Sequence, residues 1–292
     1  MKHRIVFQVV STVLIIGVAT LLGRALWDRY MNSPWTRDGR VRADVIKVAP
    51  DVSGIVIRVA VKDNQSVNKG DLLFTVDQER YQLALERAKA LLAARKAEME
   101  MRQQEAERRA RLGNVAISAE TRENARSQAD SAIALYEEAQ VAVETAKLDL
   151  RRTEVRSPVD GFITNLNVHP GDFTSKGEPK LAVIDRNSFW VYGYFEETKL
   201  HLLYRGEPVD IRLLGYSPVL QGHVESLARG ISDHDNPTSQ ELLSNVNPMF
   251  NWVRLAQRIP VRIKIDRIPT DLPLAAGMTC TVIARPEPHH DS

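Results

Sequence analysis

A single cysteine, Cys280, stands among 292 residues, so the chain forms no intrachain disulfide. It lies in the alternating run MTCTVIA, where a cysteine serves as a small apolar residue rather than as a nucleophile. Net charge is only +2, and the basic residues are interspersed with acidic ones, which argues against a nucleic-acid partner. Neither a G-x-G-x-x-G nor a P-loop pattern occurs, which disfavours a dehydrogenase or an ATPase. The seven histidines are scattered, and His289 and His290 sit in a polar tail rather than at metal-ligand spacing. Glu196 and Glu197 are adjacent, and adjacent residues of a strand point to opposite faces, so they do not form a catalytic pair. With no catalytic constellation, the expectation is a protein that is not an enzyme, needs no cofactor or metal, and works through shape and contact.

One long stretch lacks charge. Residues 5–23 contain no charged side chain and are dominated by Leu, Ile and Val. Nineteen such residues span about 28 Å as a helix, close to the hydrocarbon thickness of a bilayer. Lys2 and Arg4 precede them, and the positive-inside rule then leaves 1–4 as a cytoplasmic tail and the rest of the chain beyond the inner membrane. The expected anchor is 5–27, with Trp27 and Tyr30 at the membrane interface. The rival is a cleaved signal peptide, but LLGRALWDRY after Thr20 lacks a small-residue cleavage site.

A passage then occurs twice. Residues 48–77 read VAPDVSGIVIRVAVKDNQSVNKGDLLFTVD, and residues 155–185 read VRSPVDGFITNLNVHPGDFTSKGEPKLAVID. In each copy a Pro precedes a Gly (Pro50 and Gly54, Pro158 and Gly161), and a Lys-Gly pair follows with the second Gly, Gly70 or Gly177, 16 residues after the first. Apolar alternation at Ile55, Ile57, Val59 and Val61 predicts a strand with one buried face. The four glycines are expected at turns that need positive φ. A half of about 30 residues buries too little to stand alone, so the two copies are expected to form one small β-sandwich.

The insertion must therefore leave and return to one point. Residues 78–154 contain no Pro and one Gly, Gly113. Tyr81, Leu85, Ala88, Leu92, Met99 and Ala106 fall on a heptad seam, with Arg95 and Arg102 in its gaps; Ala125, Ala129, Ala132, Tyr136, Ala139, Val143, Ala146 and Leu150 fall on another. This predicts an antiparallel coiled-coil α-hairpin with arms of about 34 residues, ~51 Å each, broken at LGNVAIS, where Ser118 suits an N-cap. So long a hairpin has little core of its own, and it either contacts something else along its flank or stands solvated. Beyond the second copy, FWVYGYF, PVDIRLL, GHVESLA, IPVRIKI and TCTVIAR read as strands of a small barrel, which the strand from Trp35 completes. The polar stretch between Gly230 and Asn251 is long for a loop and either contacts a partner or is mobile. The fold expected is α+β and elongated. Its parts are the anchor, a split lipoyl-like sandwich (48–77 plus 155–186), the α-hairpin (78–154), a β-barrel domain (34–47 plus 187–286) and a disordered tail (287–292).

The two copies resemble the halves of a biotinyl/lipoyl domain whose modified-lysine turn is replaced by the helices, which speaks against a carrier role. Lipoyl halves split by a helical hairpin and preceded by an anchor resemble the periplasmic adaptors, or membrane fusion proteins of the haemolysin-D-type secretion family. SPWTRDGRVRADV (33–45), FEETKL (195–200) and NWVRLAQRIPVRI (251–263) are similar to the p-hydroxybenzoic acid efflux adaptor type. The resemblance implies a subunit that links an inner-membrane transporter to an outer-membrane channel. It implies copies assembled as a trimer or hexamer, and small toxic compounds, aromatic carboxylic acids among them, as cargo. It also implies that Arg108, Leu112 and Ser118 contact the channel, although the Leu-to-Ser interval is one residue shorter than the family's usual one. A peptide- or protein-secretion adaptor and a non-transport envelope scaffold are the alternatives.

Overall fold

The computed structural model describes residues 2–31, 34–112, 118–230, 256–269 and 272–285; the side chains of 2–10, 25–26 and 28–31 also lie outside that set. In chain order the elements are α1 (Lys2–Met31), β1 (Trp35–Arg42), β2 (Val45–Val48), β3 (Gly54–Val59), β4 (Ser66–Val67), β5 (Leu72–Val76), α2 (Glu79–Arg111) and α3 (Ala119–Arg152). Then follow β6 (Glu154–Arg156), β7 (Gly161–Thr164), β8 (Phe173–Thr174), β9 (Leu181–Asp185), β10 (Trp190–Glu196), a 3-10 helix (Glu197–Leu202), β11 (Pro208–Leu213), β12 (Val219–Leu227), β13 (Arg258–Ile265) and β14 (Thr279–Ala284). They form two compact units, 45–187 and 1–44 with 188–292.

In the unit 45–187 the repeat becomes one sandwich. Its sheets run β2-β9-β7-β4 and β6-β5-β3-β8, so each sheet takes two strands from each copy. Val56, Val67, Leu73, Phe74, Ile163, Val168 and Val183 are buried in the shared core. Each such side chain contributes roughly 1.5–3 kcal/mol by leaving water. Val45–Val48 pairs with β9, so the first half begins at Val45 rather than Val48, because the strand's hydrogen-bond partner lies in the second copy.

The phase of β3 differs from the alternation read in the sequence. Val56 is fully buried, whereas Ile55 and Ile57 are 48% and 58% exposed. The register of β3 against β5 shifts between Val56 and Arg58, and this bulge puts Val56 rather than its neighbours inside. The turn glycines also divide. Gly70 (φ 93°) and Gly177 (φ 80°) occupy left-handed turn positions. Gly54 and Gly161 are not turn residues: they open β3 and β7, where neighbouring strands leave no room for a side chain. A Cβ on Gly161 would lie 2.0 Å from the carbonyl oxygen of Ile184, and one on Gly54 would lie 2.7 Å from Val76 Cγ1.

The helices leave from β5 and return to β6, which are paired neighbours (Thr75 opposite Glu154). Tyr81, Ala84 and Ala88 of α2 line one groove with Ala142, Ala146 and Asp149 of α3, and Arg102 reaches Gln128 at 3.1 Å, so the helices run antiparallel. The buried residues along them are Leu85, Ala125, Ala129, Ala132, Ala139 and Val143. At the root, the fully buried Thr153 accepts from Gln78 Nε2 at 2.9 Å, donates to the Leu150 carbonyl at 2.6 Å, and receives the Val76 amide on its own carbonyl.

In the other unit, six antiparallel strands close a barrel in the order β1-β10-β13-β12-β11-β14. The strand from Trp35 closes it by pairing with both β10 and β14. Cys280 lies inside, and burial pushes its thiol up to about 12, so it is a thiol and not a thiolate at neutral pH. Residues 2–31 form one continuous helix, α1. Among the described residues, no helix is long and apolar enough to cross a membrane. The helix α1 thus covers the expected anchor, 5–27, without showing a membrane span there. The 231–250 stretch and the tail from 286 also lie outside the described residues.

Gly161→Ala should destabilise the sandwich by about 3 kcal/mol, since backbone must move to admit the methyl group. Gly177→Ala should cost only about 1–2 kcal/mol, the strain of a left-handed L-residue. Urea denaturation followed by circular dichroism separates the two.

Candidate functional site

The surfaces through which contact can be made are those the fold leaves unpartnered. Two helices offer only narrow stripes to each other, and the flanks here carry apolar residues that no other described residue covers. Leu83, Leu91, Met101, Val141 and Leu148 are all exposed. Val141 and Thr145 border both of the grooves that flank the helix pair.

At the far end from the sandwich, α2 finishes with Arg108, Arg109 and Arg111 in its last turn, where cations favour the helix dipole. Arg109 pairs with Glu105 and Arg111 with Glu107. Arg108 has no carboxylate within ion-pair distance among the described residues. Leu112 forms the C-cap in extended backbone and is 45% exposed. Ser118 caps α3 by accepting the Thr121 amide at 3.2 Å, which accounts for a serine at that position. Residues 113–117 between them lie outside the described set. On α1, Trp27 is exposed, whereas the side chain of Tyr30 is not described.

The sandwich carries further apolar surface that its sequence did not announce. Ile55 pairs with Phe173, and Phe173 is 63% exposed beside Ile55 and Ile57 on one sheet. On the other sheet Val45, Ile184 and Phe162 fall in one cross-strand row, with the Arg186 guanidinium 5.1 Å from the Phe162 ring. The strand phase set by the bulge is what turns Ile55 and Ile57 outward, and no one-dimensional alternation reveals it.

At the root of the helices, Asp51 gathers two cations. Lys176, from the second copy, hydrogen-bonds its carboxylate at 3.0 Å, and Arg152, from the last turn of α3, pairs with its other oxygen. The Lys176 hydrogen bond, helped by the charge of Arg152, holds the Asp51 carboxyl below its ordinary value of 3.8. Among the described residues no group of His, Cys, Asp and Glu could hold a metal ion.

Comparison with known proteins fits this architecture. Residues 44–186 match the barrel-sandwich hybrid domain of RND membrane fusion proteins, and residues 188–285 match the AAEA-like beta-barrel domain. The uncharacterized protein YdhJ of Escherichia coli (strain K12) is 42% identical over 272 residues, covering 93% of this chain and 95% of that protein. The chain belongs to the membrane fusion protein family. MacA from Actinobacillus actinomycetemcomitans has the same fold, with a TM-score of 0.66 at 22% identity over 86% of this chain and 78% of that one. So does the membrane fusion protein Spr0693 from Streptococcus pneumoniae R6, with a TM-score of 0.64 at 18% identity over 87% of this chain and 100% of that one. Proteins of this family are linkers, not enzymes.

Because the Asp51 carboxyl is depressed in the folded state, its contribution to stability is present above the unfolded value of 3.8 and is lost as pH falls through the lower folded value. Denaturation midpoints of the wild type and of Asp51→Asn should therefore differ at neutral pH and converge below pH 3.8.

Proposed function

We propose that this membrane fusion protein is the periplasmic adaptor subunit of a tripartite efflux pump. In this reading α1 holds it in the inner membrane with its N-terminus in the cytoplasm, and the bulk of the chain is periplasmic. Trp27 and Tyr30 sit at the membrane interface. The barrel rests on an inner-membrane transporter, and the helices act as a coiled-coil hairpin whose end meets an outer-membrane channel through Arg108, Leu112 and Ser118. The exported compounds are small and toxic, aromatic carboxylic acids among them. The adaptor does no chemistry, and the transporter supplies the energy.

The observation that carries this reading is the split sandwich. A helix pair rooted between paired strands, each arm about 50 Å at ~1.5 Å per residue, is a reach built on a platform rather than a pocket. The uncovered apolar flank residues support contact along that reach. Arg108, which makes no ion pair among the described residues, and the half-exposed Leu112 suit an end contact, because guanidinium donors can meet partner carbonyls while the Leu fills a groove.

The two sandwich faces support an assembly of copies. The patches around Phe173 and around Phe162 differ and lie on opposite sheets, so a contact between them is head-to-tail. Contacts of that kind close into rings where the rotation between copies allows it, and in this reading the ring has three or six copies.

Leu112→Asp should leave the protein folded and membrane-bound yet abolish efflux-dependent resistance when it replaces the wild type in cells; unchanged resistance removes the end contact. Phe173→Glu should convert the assembled form to monomer in size-exclusion chromatography with light scattering, without changing the circular dichroism spectrum.

A further inference from the structure

The barrel holds a cleft of about 450 Å³ that the adaptor reading leaves unused. Its volume falls in the range of roughly 300–1,000 Å³ typical of small-ligand sites. Trp35, Arg37 and Asp38 come from β1, Glu196 from β10, Lys199 from the 3-10 helix, and Arg258 from β13. A bulge builds it. The register of β1 against β14 shifts between Thr36 and Gly39. Thr36 is buried and donates to the Tyr194 carbonyl at 2.7 Å, and its hydroxyl accepts the Asp38 amide at 3.1 Å. The extra residue re-aims Arg37 and Asp38 toward the cleft, the local effect that such bulges have beside functional sites.

The charges in this cleft do not balance. Asp38 is held by Arg258 at 2.8 Å and by Arg40 at 3.8 Å, and Glu196 takes Lys199 at 3.5 Å. Arg37 has no carboxylate within ion-pair distance among the described residues. Its guanidinium lies 5.5 Å from the Trp35 ring centroid, and the Lys199 ammonium lies 5.4 Å from the same centroid. The Lys199 side chain is only 15% exposed. Among the described residues that line the cleft, Arg37, Lys199 and Arg258 thus face two carboxylates, Asp38 and Glu196, an excess of one positive charge, and Arg37 is the cation left over.

We propose that this cleft binds a phosphate group. Guanidinium and ammonium donors held in place by an aromatic ring suit oxyanions, and donors from three separate elements, Arg37 of β1, Lys199 of the 3-10 helix and Arg258 of β13, suit the tetrahedral oxygens of a phosphate better than a planar carboxylate. The phosphate has two sources, a soluble phosphate ester or the headgroup of an anionic lipid. Trp35 follows the last residue of α1, Met31, by four residues, a tether of at most about 14 Å. The lipid source rests on the reading of α1 as an anchor, and the phosphate site itself does not.

The test uses the full chain with Trp27→Phe, Trp190→Phe and Trp252→Phe, which leaves Trp35 as the sole tryptophan of the four. Its fluorescence is followed as sn-glycerol 3-phosphate is added to the detergent-solubilised protein. In a second arm the emission is compared between phosphatidylcholine nanodiscs with and without phosphatidylglycerol. A saturable response to glycerol phosphate assigns a soluble ester, and a response to phosphatidylglycerol alone assigns a lipid headgroup. In either arm Arg37→Gln and Lys199→Gln should weaken binding by about tenfold or more, the worth of a charge-assisted hydrogen bond, and added salt should weaken it further. Asp38→Asn should tighten binding, a change of sign that mere loss of structure cannot produce. No response in either arm, or a response untouched by Arg37→Gln and Lys199→Gln in protein with native circular dichroism, overturns the proposal. A failed Leu112→Asp test would remove the pump reading and leave the glycerol phosphate arm standing.

Discussion

Reciprocal docking of two turns holds the sandwich together, and the rest of its unit follows from it. The Gly70 amide donates to the Ser157 carbonyl at 2.8 Å, and the Gly177 amide donates to the Pro50 carbonyl at 2.9 Å. Each Lys-Gly turn of one copy thereby closes on the Pro-bearing turn of the other. Side chains repeat the exchange: the Lys69 amide reaches Asp160 Oδ1 at 2.7 Å, and the Lys176 amide reaches Ser53 Oγ at 2.9 Å. Neither copy can make these bonds alone, and each contributes about 0.5–1.5 kcal/mol when the halves meet. The halves must therefore meet, whatever the length of chain between them. The insertion is free to be long only because its two ends are fixed.

That constraint explains why the helices are anchored so firmly at one end. Thr153, Gln78 and Tyr81 tie the first turn of α2 and the last turn of α3 to the strands, with the Tyr81 hydroxyl donating to the Ser53 carbonyl at 2.7 Å. Asp51 adds an ionic clamp between Arg152 and the turn of Lys176. These contacts are local to the sandwich, so the direction in which the helices leave is set there and not along their length.

How far this could be read from the sequence depends on the kind of regularity involved. The helix period is stiff, and Leu85, Ala125, Ala129, Ala132, Ala139 and Val143, which sit on the heptad positions, are the buried ones. The repeat was equally legible, because a 16-residue offset survives any local change. A strand period is easily reset: one bulge between Val56 and Arg58 reverses the facing of Ile55 and Ile57 and creates an apolar patch that alternation assigned to the core. Glycine at 54 and 161 was visible, but its cause was not, since close approach to Val76 and Ile184 depends on strands far along the chain. The cleft at Trp35 was hidden for the same reason. It needs a bulge in β1 and side chains from three other elements, and no spacing in the sequence brings Arg37, Lys199 and Arg258 together.

The distribution of ion pairs along the helices shows what they are free to do. Every pair from Lys89–Glu86 to Lys147–Glu144 joins residues three or four apart on one helix. Such pairs add about 0.3–0.5 kcal/mol each to helix formation and nothing to the association of the two helices. Association rests instead on the small side chains of α3, where Ala125, Ala129, Ala132, Ala139 and Val143 are buried from the far end toward the root, with Leu85 of α2 buried near the root. Arg102 adds a polar bond across the pair, to Gln128. Each helix is thus stiff by itself, and the pair is held along its length by small side chains. A partner that supplies apolar surface to Val141 or Leu148 would then add contact toward the root, and one that covers Leu112 would add it at the far end.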